Sequence, residues 1–124
     1  MKTILSIILA VALGIMGCDD TGTNPPNESF CNVNSVEDLR WLREEIESKD
    51  YSKPSTVWDV MVYHAYYQNK EVIYISICCP LCSVMPPEIK TCDGVVLGRL
   101  YTDIDRNKLV DEKVIWRTHN QICP

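Results

Sequence analysis

Histidine occurs only twice in this chain, at positions 64 and 119, and glycine only five times. There is no Gly-x-Ser-x-Gly elbow and no glycine-rich phosphate loop, so the sequence offers neither a hydrolase nucleophile motif nor a nucleotide cradle. Cations are also in deficit: twelve Lys and Arg stand against seventeen Asp and Glu, a formal net charge of -5. Nucleic-acid binding needs the opposite balance, a basic patch facing phosphates, and anionic lipid head groups would be repelled in the same way. No apolar run is long enough to cross a bilayer, which takes about 20 residues.

The apolar run that is present lies at the N-terminus. Lys2 supplies one positive charge, residues 4–15 contain nothing ionisable, and Ile15-Met16-Gly17-Cys18 follows. A charged start, a short apolar core and a small residue before a cut make an export signal. The cysteine directly after that small residue resembles a lipobox, the site at which a bacterial lipoprotein signal is cleaved and the new N-terminal cysteine acylated. Residues 1–17 are thus expected to be a signal peptide and Cys18 a lipid anchor carrying palmitate-like chains. Each buried CH₂ contributes about 0.8 kcal/mol, so several chains on one cysteine hold the protein to a membrane without help from charge.

Residues 19–29, Asp-Asp-Thr-Gly-Thr-Asn-Pro-Pro-Asn-Glu-Ser, hold no large apolar side chain and read as a tether. The acidic start at Asp19-Asp20 resembles the export tags that place some lipoproteins at the outer membrane or cell surface. Residues 30–124 then form one domain of ordinary small size.

Seven cysteines are many for 124 residues. With Cys18 assigned to lipid, Cys31, Cys78, Cys79, Cys82, Cys92 and Cys123 remain, and an even number in an exported chain reads as disulfides. A bond between the neighbours Cys78 and Cys79 would close a strained ring, so pairings containing it are set aside. Cys82 with Cys92 is the best single pairing, because the proline-rich loop returns toward the sheet there. Cys31 and Cys123 are candidates for the end of the second strand, through Cys78 or Cys79, and adjacent strand residues leave on opposite faces.

After Asn34 or Ser35 as a cap, Val36, Leu39, Leu42 and Ile46 fall on one helical face, which predicts a helix over 35–49. Arg40 with Glu44, Arg43 with Glu47 and Glu45 with Lys49 suit its solvated side. Beyond Pro54 the chain becomes β-branched and aromatic. Residues 57–67 and 71–79 read as a hairpin turning at 68–70, with Ile73, Ile75 and Ile77 on the face toward the helix. Cys79-Pro80-Leu81-Cys82 to Pro86-Pro87 is irregular, because proline removes ladder donors. Cys92-Asp93-Gly94 turns into a third strand over 95–101, and a last strand covers about 114–119. The expected architecture is α+β: one N-terminal helix packed on a four-stranded antiparallel β-meander, disulfide-stapled.

Taken together, Cys31, Leu39-Arg40-Trp41-Leu42, the tyrosine-rich hairpin, the Cys79 to Cys82 loop and Cys92-Asp93-Gly94 resemble a family of small cysteine-rich bacterial lipoproteins known only as a domain of unknown function. Cys78 is additional to that pattern. The resemblance implies an envelope location and a stapled fold; it implies no activity.

Each motif has a functional and a plainer reading. Cys79 and Cys82 form a C-x-x-C, which suits thiol-disulfide exchange when a helix N-terminus stabilises the thiolate, but Ser83-Val84-Met85-Pro86-Pro87 cannot start such a helix. A structural crosslink is the better expectation. Zinc would need Cys79, Cys82 and Cys92 with His64 or His119, and only one paired knuckle exists. Asp103, Asp105, Asn107 and Asp111 follow the spacing of a calcium loop, but Lys108 and Val114 stand where glycine and glutamate belong. A polar turn between the last two strands explains the same residues more simply. His64, between tyrosines in a strand, reads as a packed residue. Trp58, Tyr63, Tyr66 and Tyr67 concentrate on one hairpin, whose two faces are both apolar, so one of them is expected to meet something outside the domain. The resulting expectation is a non-enzymatic, membrane-anchored module that needs no cofactor and binds or supports another envelope protein. The alternatives are a redox or metal protein using Cys79 and Cys82, and an inhibitor presenting its loops to an enzyme.

Overall fold

In the computed structural model the described residues are 29–123. The expected signal peptide, Cys18 and all but the last residue of the expected tether lie outside them. Helix formation begins less regularly than the capping pattern suggests. Val36–Asp38 is a single 3-10 turn, and Leu39 adopts an extended conformation before α1, Arg40–Ser48. Ser35 does not cap: its hydroxyl reaches Asp38 Oδ2 at 3.1 Å and no backbone amide. The helix ends well before Pro54. Asp50 takes a left-handed φ of 54°, its N–H bonds Glu47 O, and Tyr51 N–H bonds Ile46 O at 3.0 Å. These are the two bonds of a Schellman ending, with aspartate where glycine is commonest.

Strands β1, Asp59–Tyr67, and β2, Lys70–Cys78, pair antiparallel through the whole hairpin. Gln68 and Asn69 both have positive φ, 51° and 62°, as a two-residue turn of the right twist requires. Three further strands follow: β3, Glu88–Thr91, β4, Val96–Arg99, and β5, Val110–Arg117. The sheet order is β4-β3-β2-β1-β5. The domain is therefore α+β, but the sheet has five strands and is not a simple meander. The additional strand β3 lies directly after two prolines, and β5 crosses over to pair with β1 instead of β4.

The isoleucine face meets the helix side of the core through Ile73 and in part Ile75, while Ile77 lies outside that cluster and lines the cleft described below. Ile73 packs with Leu42, Ile46, Val36, Phe30 and Val62, and Ile75 flanks that cluster. The opposite face is also buried. Val72, Tyr74 and Ala65 pack with Ile89, Leu100 and Ile104, the last two on the connection between β4 and β5. That connection folds back on itself: Arg99 O accepts bonds from Asp103 N–H and Ile104 N–H, and Tyr101 N–H bonds Ile104 O at 2.8 Å. The cover for the second apolar face of β1 thus comes from within the chain. A sheet covered by a helix on one side and a loop on the other needs apolar residues of both parities, as β1 has.

Gly94 packs closely on Trp41, at the helix side of the core. Its φ is +82°, and a Cβ there would lie 2.9 Å from Trp41 Cγ. Trp41 is fixed in turn by its indole N–H, which donates to Cys92 O at 2.7 Å. Gly94→Ala is expected to cost about 2 kcal/mol from the left-handed backbone alone, before the Trp41 contact is counted. A lowered urea midpoint with an unchanged slope measures it. A midpoint equal to wild type would mean the turn relaxes freely.

Candidate binding cleft

The six described cysteines form three bridges. Cys31 joins Cys92, Cys78 joins Cys123 and Cys79 joins Cys82, with Cα separations of 5.4, 6.2 and 5.2 Å. The expected Cys82 to Cys92 bond is not formed. Cys92 is instead carried by the end of β3 to Cys31, whose N–H is held by Glu71 Oε1 at 3.0 Å. Cys123 does reach the end of the second strand, at Cys78. Cys79 turns back to Cys82 within the loop, where Cys82 N–H also bonds Cys79 O at 3.2 Å. Residues 83–87 contain no helix that could face the Cys82 sulfur.

Among the described residues, one group brings three metal-ligating side chains together: Cys31, Glu71 and Cys92. Its two sulfurs are bonded to each other, so they are not free thiolate ligands. His64 lies beside it, 2 % exposed, with Nε2 at 3.1 Å from Glu71 Oε1 and its ring edge-on to Tyr66. His119 is exposed. The set Cys79, Cys82, Cys92 and a histidine is thus not gathered.

The acidic loop also separates into turns. Asp103 Oδ2 accepts Arg99 N–H at 2.9 Å, and Asp105 Oδ1 accepts Asn107 N–H at 3.0 Å, capping the 3-10 turn Arg106–Lys108. Asp111 sits at a φ of 53° in β5, where the pairing with β1 shifts register. Asp103, Asp105, Asn107 and Asp111 do not converge on one ion position, because two of the carboxylates are turned onto backbone amides.

Of the aromatic candidates, Tyr66 alone is open, at 38 % exposure. Tyr63 stacks on Tyr74 at 4.9 Å, and Tyr67 packs on the second core cluster. Burial, then the neighbouring Glu112, pushes the Tyr74 phenol well above its ordinary value. Trp58 is half-buried, its carbonyl accepting Asn120 Nδ2 at 3.0 Å, and its indole N–H is buried without a protein partner. These four do not make a contiguous surface.

A different surface is open. A cleft of about 490 Å³ lies between α1, residues 73–77 of β2 and residues 84–88. Its charged groups are arranged around two carboxylates. Lys90 Nζ lies 2.7 Å from Glu45 Oε2 and over the Trp41 ring at 5.4 Å. Lys49 Nζ lies 3.0 Å from Glu45 Oε1, and Arg99 Nη2 lies 3.1 Å from Glu88 Oε1. Burial pushes the Glu45 carboxyl up, but its bonds from Lys90 and Lys49 outweigh that and hold it below the usual range. The Lys49 ammonium is raised, first by its bond to Glu45. Arg99 is oriented by a second bond, Nη1 to Pro86 O at 2.9 Å. On the wall formed by residues 84–88, Val84 and Met85 are exposed by 44 and 69 %, and Leu81, outside the cleft, by 97 %. The sequence placed Glu45 and Lys49 on a solvated helix side and Arg99 in a strand without bringing them together, because the pairing that groups them is non-local.

Together these features define a disulfide-stapled α+β domain with an open, ion-paired cleft beside a strand edge. No family model, no curated protein and no solved structure matches the chain.

Proposed function

We propose that this chain is an exported lipoprotein, cut before Cys18 and anchored through it, whose domain serves as a non-enzymatic binding or structural module at the outer membrane or cell surface. Cysteine arithmetic carries the reading. All six cysteines after Cys18 are consumed in bridges, which suits an oxidising compartment. Cys18 alone is left over, directly after a signal-like segment. The resemblance to cysteine-rich lipoproteins supports the same location. The partner is another envelope protein, and attachment is by acyl chains, since the chain is acidic.

Cys18→Ala is expected to move the protein from the membrane fraction to the soluble fraction, with the intact mass still showing three bridges and no free thiol. Retention of the variant in membranes overturns the anchor. Free thiols at Cys79 and Cys82 in the native protein overturn the structural role of that bridge in favour of redox or metal chemistry.

A further inference from the structure

β2 has one paired edge and one partly open edge. The two-residue turn makes Tyr67 and Lys70 a bonded pair, so Lys70, Val72, Tyr74, Ser76 and Cys78 direct their backbone groups to β1. Glu71, Ile73, Ile75 and Ile77 direct theirs the other way. On that side β3 matches only Val72 and Ile73, with Thr91 and Lys90. It then departs, and among the described residues no strand pairs with Ile75 and Ile77 on that side.

The cleft lies along this gap. Five consecutive β2 residues, 73–77, line one wall and residues 84–88 the other. Consecutive residues line a wall only when a strand presents its edge instead of a face. We propose that this slot takes an extended peptide segment bearing a carboxylate, added to β2 as a further strand. The proposal rests on the binding-module reading and names the partner chemistry for it.

Main-chain groups without partners select a main-chain ligand, because backbone donors and acceptors are all but obligatorily paired once water is excluded. Charge selects the side chain. Lys49, Lys90 and Arg99 face Glu45 and Glu88 in the cleft, a local surplus of one positive charge in a chain whose net charge is -5. The exposed Leu81, Val84 and Met85 offer apolar contact to alternate residues of the bound strand. Residues 84–88 stand across from the edge, so a single chain fits lengthwise where a second copy's sheet would be obstructed.

The test uses the full chain in detergent and a pool of acetylated, amidated hexapeptides with one fixed glutamate and alternating β-branched positions. Binding is expected to slow amide exchange at Ile75 and Ile77 while leaving Tyr74 and Ser76, already bonded to β1, unchanged. N-methylation of alternate peptide amides is expected to weaken binding at least about tenfold, since it removes two hydrogen bonds of the usual net strength. Lysine in place of the glutamate is expected to weaken it as well. Ile77→Pro deletes an outward N–H without touching the β1 ladder and is expected to lose binding; should it misfold, the N-methylated peptides still decide the matter. Equal binding of N-methylated peptides, or no binding of the pool, overturns the proposal. Protection of Ile75 and Ile77 that follows protein concentration without peptide identifies a second copy and also overturns it. If the pool fails while Cys18→Ala still releases the chain, the slot is wrong and the lipoprotein reading stands.

Discussion

Replacing Cys31 and Cys92 together by serine is expected to lower the unfolding free energy by about 4 kcal/mol. That is a large share of the 5 to 15 kcal/mol typical of a whole domain. The bridge joins residues 61 apart, and in the chain-entropy account the loss grows with the logarithm of the loop it closes. Cys78 to Cys123, 45 apart, is expected to cost nearly as much. Cys79 to Cys82, only 3 apart, should cost about half, roughly 2 kcal/mol. The Cys31 bridge also positions the turn whose Cys92 carbonyl holds Trp41, so its loss reaches the helix face of the core. Urea midpoints of the three double variants, at unchanged slope, give the ranking. A Cys79/Cys82 variant as destabilised as Cys31/Cys92 would show that local geometry, and not loop closure, sets these values.

How far this framework could be read in advance depended on the range of each interaction. The hairpin was legible because its signals are local. Ile73, Ile75 and Ile77 alternate, and Asn69 tolerates the left-handed turn. The helix face was legible through Leu42 and Ile46, but its ragged start was not, because Leu39 leaves helical geometry despite fitting the spacing. β3 escaped notice because it is four residues long and has a single fully buried apolar residue, Ile89. The return of β5 to β1 is a non-local pairing that leaves no mark in the pattern of 110–117. Disulfide partners failed for the same reason. That Cys78 and Cys79 would not bond each other was readable from the strained ring such a bond would close, whereas their partners depended on where β2 ends, at Cys78, and on which ends of the sheet became neighbours. The cleft is further out of reach, since it exists only because β3 leaves β2 after Ile73. Signal, tether and lipid site at 1–29 remain sequence arguments and lie mostly outside the described residues.

Asp59→Asn is expected to lower the melting temperature by about 10 °C or more at neutral pH, on the scale usual for a domain of this size. No local motif marks this aspartate, which opens β1 ahead of an apolar run, yet it organises the C-terminus. Its side chain is fully buried and accepts Ile122 N–H and Cys123 N–H at 2.8 Å on Oδ2. Oδ1 takes Thr118 Oγ1 and Asn120 N–H, both at 3.1 Å. Cys123 is bridged to Cys78, the residue opposite Asp59 in the ladder, so carboxylate and disulfide clasp the tail at one point. An asparagine amide would point a donor at donors. The Cys123 amide bond is the main cause holding the Asp59 carboxyl below the usual range; burial opposes it, and the Ile122, Thr118 and Asn120 bonds reinforce it. Because the folded value is depressed, the unfolded chain binds the proton first as the pH drops. The stabilisation is complete above the ordinary aspartate value of about 3.9 and is lost as the pH falls through the folded value. Melting temperatures from pH 7 down to pH 2.5 should therefore fall more steeply for the wild type than for Asp59→Asn below about pH 4, with the two curves converging. A constant gap between the curves would mean that the charge on Asp59 is not what fastens the C-terminal tail.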